Sequence, residues 1–256
     1  MTNPRWAPFY DGRRGPLLDS AAMPEPPQVS VVVPVHNEAL FLPEAFPLLV
    51  ADLDATGFDY VVVLVENGST DGTAGLVDEV AAHNARVSAL HLDTPDYGAA
   101  MAAGFAAASG EWVVNFDIDY FSGEFLTAAL SAMPQPDVVL ASKRVTGAED
   151  RRSPMRRIAT WGFNVLLRIG FGSSLADTHG MKAIRSHIVE EIAPQVLSRQ
   201  DLFDTELVLR AERAGYRILE LPTTVEEQRP TGLGLLRRVP RTLVGLARLR
   251  WRLRRR

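Results

Sequence analysis

From Gln28 onward the chain alternates short apolar runs rich in β-branched residues with stretches of helical periodicity. That rhythm limits the fold more than any other feature. The runs cover 29–35, 60–65, 86–92, 112–117 and 137–142, and the helical stretches between them cover 39–54, 70–84, 98–109 and 123–132. A run that is apolar at almost every position packs on both of its faces, whereas alternation marks a strand with one wet face. The pattern predicts an α/β domain with a mostly parallel central sheet and helices on both faces. The second half is less regular: a helix over 155–169, a short strand near 181–184, a helix over 204–214 and a strand at 217–220.

Composition narrows the field. A chain of 256 residues that is 46% hydrophobic can bury a full-sized core. It has no cysteine, which excludes disulfides, thiolate metal sites and cysteine nucleophiles. Residues 1–27 hold Pro4, Pro8, Pro16, Pro24, Pro26 and Pro27 and read as a disordered arm. The domain proper is expected over 28–236. No basic region followed by an apolar stretch opens the chain, and the most apolar window, 99–108, is half a membrane span. The expectation is a soluble, cytoplasmic chain. The net charge of −4 conceals an asymmetry: residues 237–256 hold nine Arg and no acid, leaving 18 basic against 31 acidic residues elsewhere. On a helical wheel Leu243, Leu246, Ala247, Trp251 and Leu253 share one broad face, with most of the arginines opposite. Such a helix suits either an anionic membrane surface or packing on the acidic body. Nucleic acid is not an expected partner, because the rest of the surface would repel phosphates.

In a parallel α/β sheet, ligands bind at the carboxyl ends of the strands. Three such ends carry chemistry: Pro34-Val35-His36-Asn37-Glu38, Glu66-Asn67-Gly68-Ser69 and Asp117-Ile118-Asp119. Residues i and i+2 of a strand face one side, so Asp117 and Asp119 converge if the strand runs through them. Two carboxylates that close repel unless a cation lies between them, and an oxygen-only donor set suits Mg²⁺ or Mn²⁺. The competing reading is a turn in which Asp119 caps the helix that starts near Ser122 and Asp117 pairs with an Arg. Asn67-Gly68 is a turn pair, and Ser69 or Thr70 can cap the next helix. Glu66 is left without a capping role and is suited to accept a nucleobase N–H. The basic residues Lys143, Arg144, Arg151, Arg152, Arg156 and Arg157 read as a loop over 143–157, either a solvated surface or a lure for an anionic acceptor.

Taken in order, these segments resemble the family-2 glycosyltransferases of the GT-A nucleotide-sugar fold, above all the dolichol- or polyprenyl-phosphate mannose or glucose synthase branch. The matching stretches are 31–38, 66–73, 97–104, the D-x-D at Asp117–Asp119, 137–143, 177–183, 203–207 and 229–232. The resemblance implies that Pro34, Glu38, Glu66, Gly98 and Asp117 bind the nucleotide sugar, and that Asp117 and Asp119 hold the Mg²⁺ or Mn²⁺ bridging its diphosphate. It also implies that Lys143, Lys182, His179 and Arg229 meet phosphate or acceptor, and that Asp204 and Glu206 stand where a general base is found. The reaction implied is inverting transfer of a hexose from a UDP- or GDP-sugar to a polyprenyl phosphate, with the protein peripheral on the inner face of the membrane. A soluble hydroxyl acceptor and a catalytically weak nucleotide-sugar binder are the alternatives. Phe121 stands where metal-binding relatives often carry a polar residue, so metal affinity without nucleotide is expected to be weak.

Overall fold

The structure is a computed structural model that describes residues 27–225 and 234–254. The sheet-forming strands are β1 (Val29–Val35), β2 (Tyr60–Asn67), β3 (Val87–Leu92), β4 (Trp112–Asn115), β5 (Val138–Ser142), β7 (Lys182–Arg185) and β8 (Ile218–Pro222). They pair in the order β3-β2-β1-β4-β7-β5-β8, and only β7 runs against its neighbours. The short strands β6 (Glu149–Asp150) and β9 (Thr224–Val225) form a separate parallel pair. The helices are α1 (Leu42–Thr56), α2 (Thr73–His83), α3 (Tyr97–Ala107), α4 (Gly123–Ser131), α5 (Pro154–Phe171), α6 (Ser186–Ile192), α7 (Phe203–Ala214) and α8 (Gly234–Arg254).

Both faces of the sheet are dry, as continuous apolar strands require. Val29, Val31, Val33 and Val35 of β1 join Val62 and Leu64 of β2 beneath α1, α2 and α4. Val32, Val63, Val65 and Val113 point the other way, against α3, α6 and α7. Ser30 breaks the run without cost, because its hydroxyl accepts the backbone N–H groups of Ser109 and Gly110 at 3.0 and 2.9 Å. Helix α3 lies so close to the sheet that a Cβ on Gly104 would stand 2.3 Å from Val32 Cγ1.

Several boundaries differ from the expected ones for local reasons. Helix α1 starts three residues later than the periodicity suggests. Ala39 is tied to Asp71, and the Glu38 carbonyl accepts from Phe41 and Leu42 before Pro43 opens the regular helix. Strand β4 stops at Asn115, and the D-x-D lies beyond it in a hairpin turn closed by Asp117 N–H to Tyr120 O (3.2 Å) and Tyr120 N–H to Asp117 O (3.0 Å). Segment 143–157 is no single loop: β6 pairs with β9, and α5 starts at Pro154. Helix α6 is an element that the periodicity does not reveal. The arm over 1–26 and Arg229 lie outside the described residues.

Helix α8 packs on the body, the second of the two readings of the tail. The face that packs overlaps the one drawn from the wheel only in Leu246 and Leu253: Leu246 and Leu249 are buried against Leu167, Leu202 and Leu209, with Leu253 partly covered. Leu243, Ala247 and Trp251 stay exposed. No helix among the described residues is long and apolar enough to cross a membrane.

Candidate active site

Strand order fixes the place of the site. The connection from β3 to β4 passes over β2 and β1, so strand order reverses between β1 and β4: the chain leaves β1 through α1 on one face and reaches β4 through α3 on the other. A crevice opens at such a switch point. It is lined by Pro34 and Val35 at the end of β1, His36 and Glu38 just beyond it, Asn67 at the end of β2, Tyr97 at the start of α3, and Asp117, Ile118 and Asp119 after β4.

The segment after β2 clamps the segment after β1. Asn37, at φ 55°, donates its N–H to Ser69 Oγ at 2.9 Å and accepts Thr70 N–H at 2.9 Å. Glu38 N–H donates to Thr73 Oγ1 at 2.8 Å, and Ala39 N–H to Asp71 Oδ2 at 3.1 Å. Asp71 also takes the Thr73 hydroxyl at 2.6 Å, a bond that holds its carboxyl below the usual range. His36 Nδ1 lies 2.8 Å from the Asn67 carbonyl. The polar octet 66–73 therefore shapes the wall of the crevice.

Glu66 is the residue read from sequence as an acid without a capping role. It does have a capping role: Oε1 accepts Ser69 N–H at 2.5 Å and Oε2 lies 3.6 Å from His91, with the residue 3% exposed. Asn67, read from sequence only as a turn residue, is the β2 residue that faces the crevice. Its Oδ1 accepts Asp96 N–H at 2.7 Å, and Asp96 caps α3 through Ala99 N–H. Gly98 packs closely: a Cβ there would meet Arg199 Cα at 2.9 Å.

The turn brings Asp117 and Asp119 to the same crevice by hairpin geometry, not by strand alternation. Ser122, not Asp119, caps α4, accepting Phe125 N–H at 3.0 Å. Burial pushes the Asp117 carboxyl up to about 6, the charges of Asp204 and Asp119 push the same way, and Lys182 opposes them. Phe121 packs against the core cluster around Phe116.

Beneath the turn lies a buried polar network. Lys182, 1% exposed, donates Nζ to the Gly180 carbonyl at 2.7 Å and to Asn115 Oδ1 at 3.3 Å, and lies 3.1 Å from Asp204 Oδ1. The last contact is an ion pair without hydrogen-bond geometry. Tyr97 donates its hydroxyl to Asp204 Oδ2 at 2.9 Å, and burial above all holds that hydroxyl well above its ordinary value. Glu206 is fully buried: Oε1 is forked by Arg210 at 2.8 and 2.6 Å, and Oε2 accepts Ser198 N–H at 2.7 Å. Both oxygens of Glu206 are thus engaged inside the fold, an arrangement that fits a structural role. Lys143 lies 2.6 Å from Asp177, whose side chain is 1% exposed. Lys143 and Lys182 are thus committed to internal carboxylates. His179 packs edge-on to Phe163, and burial lowers its pKa, which favours the neutral ring.

The donor set suits a hard divalent cation in one respect and falls short in another. Asp117 is a carboxylate that burial and like charge disfavour, and a cation would relieve both. Among the described residues no group of three or more His, Asp or Glu side chains could hold a metal alone. Asp117 and Asp119 fit such an ion only where substrate oxygens complete its shell.

Fold and crevice together define a nucleotide-sugar transferase of the GT-A type. The family model for glycosyl transferase family 2 matches residues 30–202, and the chain belongs to that family. It is 30% identical over 78% of its length to an undecaprenyl-phosphate mannosyltransferase of Micrococcus luteus, spanning 84% of that protein. It is also 30% identical over 82% of its length to a polyprenol monophosphomannose synthase of Mycolicibacterium smegmatis, spanning 82% of it. The glycosyltransferase AglD of Haloferax volcanii is 30% identical over 88% of this chain, which spans 37% of that longer protein. The similarity thus runs to the polyprenyl-phosphate sugar synthase branch. Among solved structures, the mannosyltransferase of Pyrobaculum calidifontis, in complex with GDP-Man and Mn²⁺, shares the fold at TM-score 0.59 and 22% identity. That match covers 86% of this chain and 63% of the other.

Proposed function

We propose that this glycosyltransferase moves a hexose from a UDP- or GDP-sugar to the phosphate of a polyprenyl phosphate, with inversion, using Mg²⁺ or Mn²⁺. Pro34, Glu38 and Asn67 would seat the nucleotide against the β1 and β2 ends. Asp117 and Asp119 would hold the cation together with the donor diphosphate. Bound there, a divalent cation supplies Lewis-acid stabilisation of the charge that builds on the leaving diphosphate. In the transfer, a phosphate oxygen forms the new bond to the anomeric carbon as the bond to the diphosphate breaks, and no proton needs to move. Arg229 is proposed to contact phosphate from the resemblance alone.

The observation that carries the acceptor is the state of the two carboxylates expected to act as a base. Glu206 is locked by Arg210, and Asp204 is held between Lys182 and Tyr97. A hydroxyl acceptor needs a carboxylate to remove its proton, whereas a lipid phosphate arrives already ionised. The names of the Micrococcus and Mycolicibacterium relatives support the same acceptor class. The test offers UDP- and GDP-sugars with Mn²⁺ to the protein, with either a polyprenyl phosphate or a panel of hydroxyl acceptors. Sugar-lipid formation that Asp119→Ala reduces at least a hundredfold is expected. Transfer to hydroxyls alone, or metal-dependent donor binding with no transfer, would replace this reading.

A further inference from the structure

Helices α5 and α8 form the outer layer over α7. Phe203, Leu207, Val208 and Ala211 of α7 face the sheet, while Leu209 and the preceding Leu202 face outward. Leu167 of α5 and Leu246 and Leu249 of α8 cover that outward side, so both helices turn their remaining faces away from the body. Those faces are apolar. On α5, Ile158, Trp161 and Ile169 are 68, 57 and 77% exposed, opposite the inward Phe163, Leu167 and Phe171. On α8, Leu243, Val244 and Trp251 are 45, 51 and 57% exposed.

The charge on these two helices is of one sign. Segments 154–171 and 234–254 hold ten Arg and no Asp or Glu, while the chain as a whole is acidic. We propose that the outward faces of α5 and α8 together form a docking surface for an anionic lipid bilayer. An exposed apolar stripe with a tryptophan, flanked by arginines, is the composition of a helix lying in a membrane interface. The arginine heads meet lipid phosphates while their stems and the apolar side chains enter the acyl boundary. Arg250 passes beside Gly170, with Nη1 3.6 Å from where its Cβ would stand, so the charge of α8 lies against α5. The proposal deepens the lipid-acceptor reading and rests on it for the purpose of docking. Arg152 of the β6 segment bonds both Asp150 and Thr160, so the first turns of α5 are tied to the body.

The experiment is sedimentation of the full chain, without nucleotide sugar, with phosphatidylcholine vesicles and with vesicles that also contain phosphatidylglycerol. Binding to the anionic vesicles that weakens with salt is expected. Ile158→Ser with Ile169→Ser on α5, and separately Trp251→Ser on α8, should each weaken it by on the order of tenfold or more, with unchanged circular dichroism and melting. No vesicle binding by the parent chain overturns the proposal, as does binding that the α5 pair leaves untouched. Self-association abolished by the same substitutions, without vesicle binding, would assign the surface to a second copy. A water-soluble short-chain polyprenyl phosphate separates the two readings. Turnover of it without vesicle binding defeats the docking surface alone; vesicle binding without turnover defeats the acceptor alone.

Discussion

Lys182 is held where the Gly180 carbonyl, Asn115 and Asp204 converge, with 1% of its surface exposed. Removing a buried cation leaves its carboxylate unpaired, which costs about 3–5 kcal/mol. Lys182→Met should lower stability by about that amount in urea unfolding, and Asp204→Asn in the same chain should restore much of it; additive losses would contradict the pairing. Asp117 behaves in the opposite sense. Its folded value near 6 lies above the ordinary 3.8, so the folded state binds this proton more tightly than the unfolded one. Its contribution is therefore favourable below about pH 4 and is lost as pH rises through about 6. In chelator, Asp117→Asn should raise the melting temperature above about pH 6, by up to about 3 kcal/mol of stability, with no gain below about pH 4. The same change should abolish metal-dependent donor binding. For Glu206 the prediction is structural: Glu206→Gln should destabilise by about 1–3 kcal/mol through Arg210, with turnover per folded molecule changed less than tenfold. A loss of a hundredfold or more would restore it as the base.

At the scale of elements, the strands and the helices between them are legible because continuous apolar runs can only be satisfied by a sheet covered twice. What escapes the sequence is the set of interactions between segments. Glu66 reads as unexplained because its partner, Ser69 N–H, is a backbone group, and a residue string shows no backbone geometry. The D-x-D pair reads as strand, since nothing in Phe116-Asp117 marks where β4 ends and the hairpin turn begins. A helical wheel for α8 groups Leu246 and Leu253 with Leu243, Ala247 and Trp251, whereas contact with Leu202 and Leu209 groups them with Leu249. Two outcomes belong at this scale. Asp71→Ala should loosen the clamp on 37–39 and raise the donor KM with little change in melting, measured by donor titration. Gly104→Val should force α3 off Val32 and destabilise by about 1–3 kcal/mol, seen in urea unfolding.

The whole molecule joins a crevice at the β1/β4 switch point to a basic, apolar outer layer on the far side of α7. The crevice offers two carboxylates for a cation, while both oxygens of Glu206 accept internal hydrogen bonds and Asp204 is held by the Tyr97 hydroxyl and the charge of Lys182. That combination is matched to a donor that brings phosphates and an acceptor that brings its own negative charge. The central claim is transfer to a lipid phosphate through Asp117 and Asp119. It is tested most directly by following nucleoside-diphosphate release and sugar-lipid formation with a polyprenyl phosphate, with Mn²⁺ or with chelator, in the parent chain and in Asp119→Ala. The account predicts equal amounts of both products, lost in chelator and reduced at least a hundredfold in the variant. Sugar-lipid formation that persists in chelator and in Asp119→Ala would contradict it.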